Sequence, residues 1–167
     1  DFQIVGPAPN SEEEVEVLIA ASRKEKIEDR VAVAEAAGLK TTVMDVESYA
    51  ALAAFDMIKG SATGIEDKDV TAIVDIGALT TRVTVMHEDQ QVYTREQQLG
   101  GYQLTQDVSR QFGMPMEEAE VAKKSGGLPD NYYPDVLQSF IEKVVLEISR
   151  ALQFFFTSTQ FNKVDHI

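Results

Sequence analysis

The sequence has no cysteine and no tryptophan, and its only histidines are His87 and His166. Without cysteine there is no disulfide framework, no thiolate nucleophile and no cysteine-based metal site. Two histidines so far apart in the chain do not suggest a metal cluster or a histidine-based triad. Basic residues are also scarce: 15 Lys and Arg against 28 Asp and Glu leave a net charge of −13. Such an acidic chain does not suit nucleic acid or anionic lipid, both of which need a basic surface. No apolar run reaches the ~18 residues of a membrane span, and no signal peptide is present, so a cytoplasmic location is expected. Internal repeats and low-complexity tracts are absent too.

What remains is the composition of an ordinary globular protein, 44% hydrophobic and 26% charged over 167 residues. That length suits one domain, or one and a half of a larger architecture. Both ends look cut. The chain starts at Asp1 already in strand-like alternation, and residues 164–167 read as the opening of another strand. The sequence is therefore expected to be a fragment.

Residues 2–6 read as a strand closed by Gly-Pro-Ala-Pro-Asn, a loop that regular structure does not easily cross. Residues 14–21 suit a second strand, with a helix start at Ser11 as the other reading. Residues 24–37 place Ile27, Val31, Ala34 and Ala37 at helical spacing, with Gly38 as C-cap. Residues 39–46 read as a strand and 47–59 as an Ala-rich helix closed by Gly60. Residues 61–69 are polar and without periodicity, the clearest linker of the chain. Beyond it come a hairpin, a third strand over 90–99 reached through a turn at 87–91, and helices over 103–112, 117–124 and 136–160. The last is apolar around most of its circumference through Phe154–Phe156 and is expected to be largely buried. Those rings read as core, or as a docking surface. A mixed sheet with helices packed on it gives an α/β class.

The hairpin, TAIVDIGALTTRVTV over residues 71–85, is the stretch around which the rest is arranged. Asp75 ends a strand whose neighbours Val74 and Ile76 are expected to be buried. A charge there is costly unless a cation, a helix N-terminus or a hydrogen-bond network receives it. Gly77 lets the backbone approach a ligand, and successive turn N–H groups with the Thr80 and Thr81 hydroxyls could cradle a phosphate. An ordinary hairpin with Asp-Ile-Gly as turn chemistry is the other reading.

Four motifs in this order resemble the actin-like ATPase superfamily, which includes actin, the Hsp70 ATPase domain and the division protein FtsA. Residues 74–80, VDIGALT, resemble its second phosphate loop. DVESYAALA, containing Glu47, resembles its first connecting segment; Gly100-Gly101 opens a helix as in these ATPases; and Glu120-Val-Ala-Lys123 resembles the E-x-x-K that reaches the nucleoside. Longer stretches are similar to one branch, the PilM family of type IV pilus assembly. They are YTREQQLGGYQLTQDVSRQFG, AEVAKKSGGLPDNY, SRALQFFFTSTQFNKVDHI and DFQIVGPAPNSEEEVEVLIAASRKEKIEDRV.

The resemblance implies an actin-like (ribonuclease H-like) fold, present in part. Residues 1–38 would end an inserted subdomain, 39–60 return to the first large subdomain, 61–70 link, and 71–167 form the second large subdomain, short of its C-terminus. It also implies ATP and Mg²⁺ in the intact protein: Asp75 would hold the metal through water, and Gly77, Thr80, Gly100 and Gly101 would surround the phosphates. Glu120 and Lys123 would touch the nucleoside, and Glu47 would orient the attacking water. Each has a plainer role beside it. Glu47 suits a helix N-terminus, and Glu120 with Lys123 suits a surface ion pair. Ala78 and Leu79 stand where relatives often have glycine, and would be strained if those positions need positive φ. The first phosphate loop would precede Asp1 and the adenosine loop follow Ile167, so this fragment alone is not expected to bind nucleotide tightly.

The implied partners are the N-terminal tail of PilN and, through it, the PilN–PilO–PilP complex and the pilus motor, at the cytoplasmic side of the inner membrane. The basic cluster Arg23, Lys24, Lys26 and Arg30 is the nearest candidate for the PilN contact, against the plainer reading of a solvated helix face. Exposed cut surfaces could pair with a second copy. A cycling ATPase of the actin or Hsp70 type, or an FtsA-like division protein, are the alternative functions.

Overall fold

The computed structural model describes residues 1–8, 11, 13–59, 64–66, 68–88 and 90–167. The chain forms two compact units, Asp1–Thr63 and Gly64–Ile167. Gly60, the expected cap of a helix, and residues 61–63 and 67 of the expected linker lie outside the described residues.

In the first unit, β1 (Phe2–Pro7) and β2 (Val15–Ile19) form an antiparallel ribbon. Phe2 faces Ile19 and Ile4 faces Val17; the register then shifts between Ile4 and Gly6, as at a bulge. Helix α1 (Lys24–Ala36) turns its half-buried stripe, Ile27, Val31 and Ala34, to one side. Its end is closed by Gly38, at φ +76°. The Gly38 N–H donates to Glu35 and the Leu39 N–H to Ala34, both at 2.9 Å. This paired arrangement satisfies carbonyls that a helix end otherwise orphans. Helix α2 (Glu47–Lys59) half-buries Tyr49, Leu52 and Phe55. Residues 39–46, expected as a strand, are not one. Their apolar residues look strand-like, but no neighbouring strand among the described residues offers a ladder, and Val43 is 76% exposed.

The second unit is built on a three-stranded antiparallel sheet: β3 (Thr71–Ile76), β4 (Thr81–His87) and β5 (Gln90–Gln97), with β4 central. The turn between β4 and β5 holds Glu88 at φ +49°; residue 89 of it lies outside the described residues. Helices α3 (Gly101–Phe112), α4 (Met116–Ser125) and α5 (Gln138–Ser158) follow, and α5 is entered through a π-type turn, Tyr133–Leu137. A first core joins Leu104 and Val108 of α3, Ala119 of α4, Val136, and Phe140 and Val144 of α5. A second sets Phe155 of α5 against Val70, Ala72 and Val85. Phe155 is wholly buried among Tyr93, Phe156 and Phe161, with ring centroids 5.3–5.6 Å away.

Helix α5 is less buried than its composition suggests. Phe140, Val144, Ala151 and Phe155 form its inner stripe. Ile141, Val145, Leu146, Phe154 and Phe156 are exposed, and Arg95 stacks its guanidinium 4.2 Å from the Phe154 ring centroid. Of the three successive phenylalanines only the middle one is core, because consecutive helical positions point about 100° apart. The last residues run beside the free edge of β3: Thr71 and His166 form a parallel bridge, and the Ala72 N–H donates to the His166 carbonyl at 2.8 Å. The Asp165 carboxylate accepts the Val70 N–H at 3.0 Å, and His166 Nε2 lies 3.1 Å from Asp69. No helix among the described residues is long and apolar enough to cross a membrane.

Candidate functional site

The β3–β4 turn and the start of α3 meet in one place. The Gly77 N–H donates to the Thr80 carbonyl at 2.9 Å and closes the turn. The turn's own carbonyls then cap the helix: the Gly101 N–H donates to Gly77 at 2.9 Å and the Tyr102 N–H to Ala78 at 2.7 Å. Helix α3 has no side-chain cap, so these carbonyls satisfy donors that the first turn would leave orphaned. Gly100 makes the approach possible. A Cβ there would lie 2.6 Å from both carbonyl oxygens, which no side chain tolerates.

Opposite those carbonyls, the N–H groups of Ala78, Leu79 and Thr80 make no backbone hydrogen bond among the described residues. Three successive unpaired amides in a turn form an anion-binding concavity. Ala78 and Leu79 have negative φ, since Glu88 is the non-glycine residue with positive φ among the described residues. The strain expected from alanine and leucine in this loop is therefore absent. Thr81 does not belong to the cradle: its hydroxyl donates to the Leu99 carbonyl at 2.6 Å, and the residue is buried.

Asp75 is exposed, and so is Ile76, at 52%; Val74 is half-buried. The expectation of a carboxylate flanked by buried neighbours is corrected, because the strand end projects beyond the core. Asp75 sits directly opposite Arg82, which in turn sits opposite Glu96. Arg82 donates through Nε at 3.1 Å and Nη2 at 2.6 Å to Glu96 Oε2. The row runs acid, base, acid across three strands, and a cation thus stands beside Asp75 after all. No group of three His, Cys, Asp or Glu side chains that could hold a metal occurs among the described residues. Mg²⁺ asks for little more than one or two carboxylates together with phosphate and water, which Asp75 beside the loop fits.

Glu120 and Lys123 are brought together and onto α3. Lys123 Nζ lies 2.7 Å from Glu120 Oε2, 2.7 Å from the Thr105 hydroxyl and 3.0 Å from the Gly101 carbonyl. Its three donors are all committed. Lys124 Nζ reaches the other carboxylate oxygen at 2.9 Å. Hydrogen bonds from Lys123, then Thr105, then Lys124 hold the Glu120 carboxyl well below the usual carboxylate range, at about 2. The pair is thus an i,i+3 ion pair, but one that also straps α4 to the first turn of α3. Thr105 escaped sequence reasoning. The available signal was a threonine between Leu104 and Val108 on the apolar face of α3, four residues after Gly101, where its hydroxyl can return to the i−4 carbonyl.

In the first unit, Glu47 opens α2 and is exposed, a favourable place for a carboxylate at the positive end of the helix. Arg23 precedes α1, Lys24 pairs with Glu28 at 3.1 Å, and Arg30 donates to the Lys26 carbonyl at 3.1 Å. All four basic residues are exposed, Arg23 just before the helix and the other three on its first two turns.

The family profile described as type IV pilus assembly protein PilM matches residues 1–167. Among solved structures, a PilM–PilN type IV pilus biogenesis complex aligns at TM-score 0.73 and 26% identity, over 99% of this chain and 47% of that one. The ethanolamine utilization protein EutJ from Carboxydothermus hydrogenoformans aligns at 0.59 and 26%, over 80% of this chain and 44% of that one. MreB 5 of Spiroplasma citri bound to AMPPNP aligns at 0.52 and 19%, over 80% and 48%. These similarities place the chain in the actin-like fold. It spans about half the length of the structures it matches.

Proposed function

The chain belongs to the PilM family of type IV pilus assembly proteins, and we propose that it is part of a PilN-binding scaffold whose shape is set by a bound nucleotide. The support for the partner is the similarity, over 99% of this chain, to the protein found with PilN in a pilus biogenesis complex. Binding the N-terminal tail of PilN would link the protein to PilO, PilP and the pilus motor at the inner face of the membrane. The exposed basic stretch Arg23, Lys24, Lys26 and Arg30 is the proposed contact for that tail.

The observation that carries the nucleotide reading is the turn after β3. It offers three unpaired amides at residues 78–80 next to the exposed carboxylate of Asp75. Amides of this kind receive phosphate oxygens, and a single carboxylate can hold Mg²⁺ through water. Gly100 and Gly101 keep the start of α3 against the loop. Glu120 stays ionised and partly open to solvent, and Lys123 would meet a nucleoside by exchanging one of its present bonds. The reading is one of binding, with hydrolysis slow or absent.

The test is calorimetric titration of Mg²⁺·ATP into the full-length protein, beside Asp75→Ala, followed by PilN-tail binding with and without nucleotide. Micromolar ATP binding that is lost in Asp75→Ala supports the reading. ATP binding unchanged by Asp75→Ala, or no ATP binding at all, refutes it and leaves a scaffold. Charge reversal at Arg23 and Lys26 should weaken PilN-tail binding; unchanged affinity moves the contact elsewhere.

A further inference from the structure

Among the polar residues of the second unit, Thr105 stands apart. It is 1% exposed, on a helix face otherwise made of Leu104 and Val108, yet its hydroxyl touches three polar groups from two helices. Lys123 Nζ donates to it at 2.7 Å. The single hydroxyl hydrogen then has two acceptors in reach, Glu120 Oε2 and the Gly101 carbonyl at 3.0 Å, and the Glu120 contact is the shorter. The same two groups receive Lys123 directly. Four polar groups, one on each of Gly101, Thr105, Glu120 and Lys123, therefore form a closed ring between α3 and α4, and Thr105 is its only wholly buried member.

We propose that Thr105 is a positioning residue: its hydroxyl sets Glu120 and Lys123 against the first turn of α3, so that both are fixed before any ligand arrives. A buried hydroxyl is costly unless bonded, and a closed ring of charged and neutral groups in a low-dielectric setting is stronger than its separate pairs. Without the hydroxyl, Lys123 loses one of three acceptors and Glu120 one of its donors. Both side chains then regain rotamers, among them those that carry Lys123 off the Gly101 carbonyl. The consequence for ligand binding rests on the nucleotide reading given above; the geometry does not.

The experiment uses the full-length protein as wild type, Thr105→Val and Thr105→Ser. The first substitution keeps the shape and removes the hydroxyl; the second keeps the hydroxyl. Carboxyl titration by carbon NMR reads Glu120 directly. Its midpoint, about 2 in the intact ring, is expected to rise toward 4.5 in Thr105→Val and to stay low in Thr105→Ser. A merely structural role, in which only volume matters, would leave Thr105→Val unshifted and disturb Thr105→Ser more. That result overturns the proposal. Calorimetry with Mg²⁺·ATP is the second readout, and Thr105→Val is expected to weaken binding about tenfold, as loss of one hydrogen bond to a charged group does. An unchanged Kd, in a protein whose wild type binds ATP, overturns the positioning role at the nucleotide site. Wild type that binds no ATP sinks the nucleotide reading instead, and the Glu120 midpoint alone then decides for or against Thr105. Should Thr105→Val fail to fold, Thr105→Ala, which removes the hydroxyl without adding volume, takes its place.

Discussion

The two units use the same ingredients and reach different ends. In Asp1–Thr63 a ribbon and two helices form, yet every described residue keeps more than a tenth or so of its surface in solvent. In Gly64–Ile167 three strands and three helices enclose two cores, and every buried residue among those described lies there. Helix α1 shows what the first unit relies on. Its stripe is half-buried, its N-terminus has no side-chain cap, and its C-terminus is closed by the backbone bonds around Gly38. Helix α3 gains instead from burial of Leu104, Thr105 and Val108 and from the turn carbonyls that cap it. Periodicity and caps suffice to shape an element, whereas its stability comes from the apolar face it buries. The second unit is therefore expected to be intolerant of change, and the first tolerant.

The largest test of that difference sets two phenylalanines against each other. Phe155→Ala removes a ring that is wholly buried, and should cost about 3–5 kcal/mol in denaturant unfolding. Phe2→Ala, at a ring 68% exposed, should stay within about 0.5 kcal/mol. Equal losses would mean that burial does not set the two units apart.

A glycine pair sharpens it. Gly100→Ala drives a methyl into two carbonyl oxygens 2.6 Å away and should cost about 1–3 kcal/mol, by overpacking. Gly38→Ala meets no atom within 4 Å. Its cost is only that of positive φ, about 1 kcal/mol, and it should leave unfolding of the second unit unmoved.

A smaller effect appears in acid. Because the Glu120 carboxyl is held at about 2 against an ordinary 4.5, its ionised form favours the folded state above pH 4.5. That contribution is lost as pH falls from there through about 2. Urea midpoints of wild type and Glu120→Gln should accordingly differ near neutrality and converge as pH falls through that window. A gap that stays constant with pH would mean that the ring around Thr105 does not hold the charge. The smallest change belongs to the first unit: Lys24→Ala removes an exposed i,i+4 pair with Glu28 and should shift stability by no more than a few tenths of a kcal/mol.

Much of this was legible beforehand where a pattern is local. The hairpin of 71–85 announced itself through β-branched runs around Gly77, and α1 through Ile27, Val31 and Ala34 with Gly38 behind them. What failed was what depends on neighbours. Residues 39–46 have strand composition without a strand beside them, since pairing is a property of two segments. Ile76 looks like a core residue and is not, because Phe155 of α5 packs on the start of β3 at Ala72 and not on its end. Phe154 and Phe156 carry the same side chain as Phe155 and lie on other faces of the helix. The candidate site divides the same way. Gly77, Gly100, Gly101, Glu120 and Lys123 were legible as motifs, whereas the buried hydroxyl that joins three of them belongs to no motif. Nor did Arg82 stand out as the cation beside Asp75, since only the register of two strands puts it there.

The fit at Gly100 leaves no slack. Two carbonyl oxygens rest where a methyl group would not go, and two hydrogen bonds of 2.7 and 2.9 Å fasten the turn to the helix in the opposite sense. A joint that can be neither compressed nor stretched transmits displacement. The turn at residues 77–80 is thereby fastened to the first turn of α3, and the Lys123 strap fastens α4 to that same turn of helix.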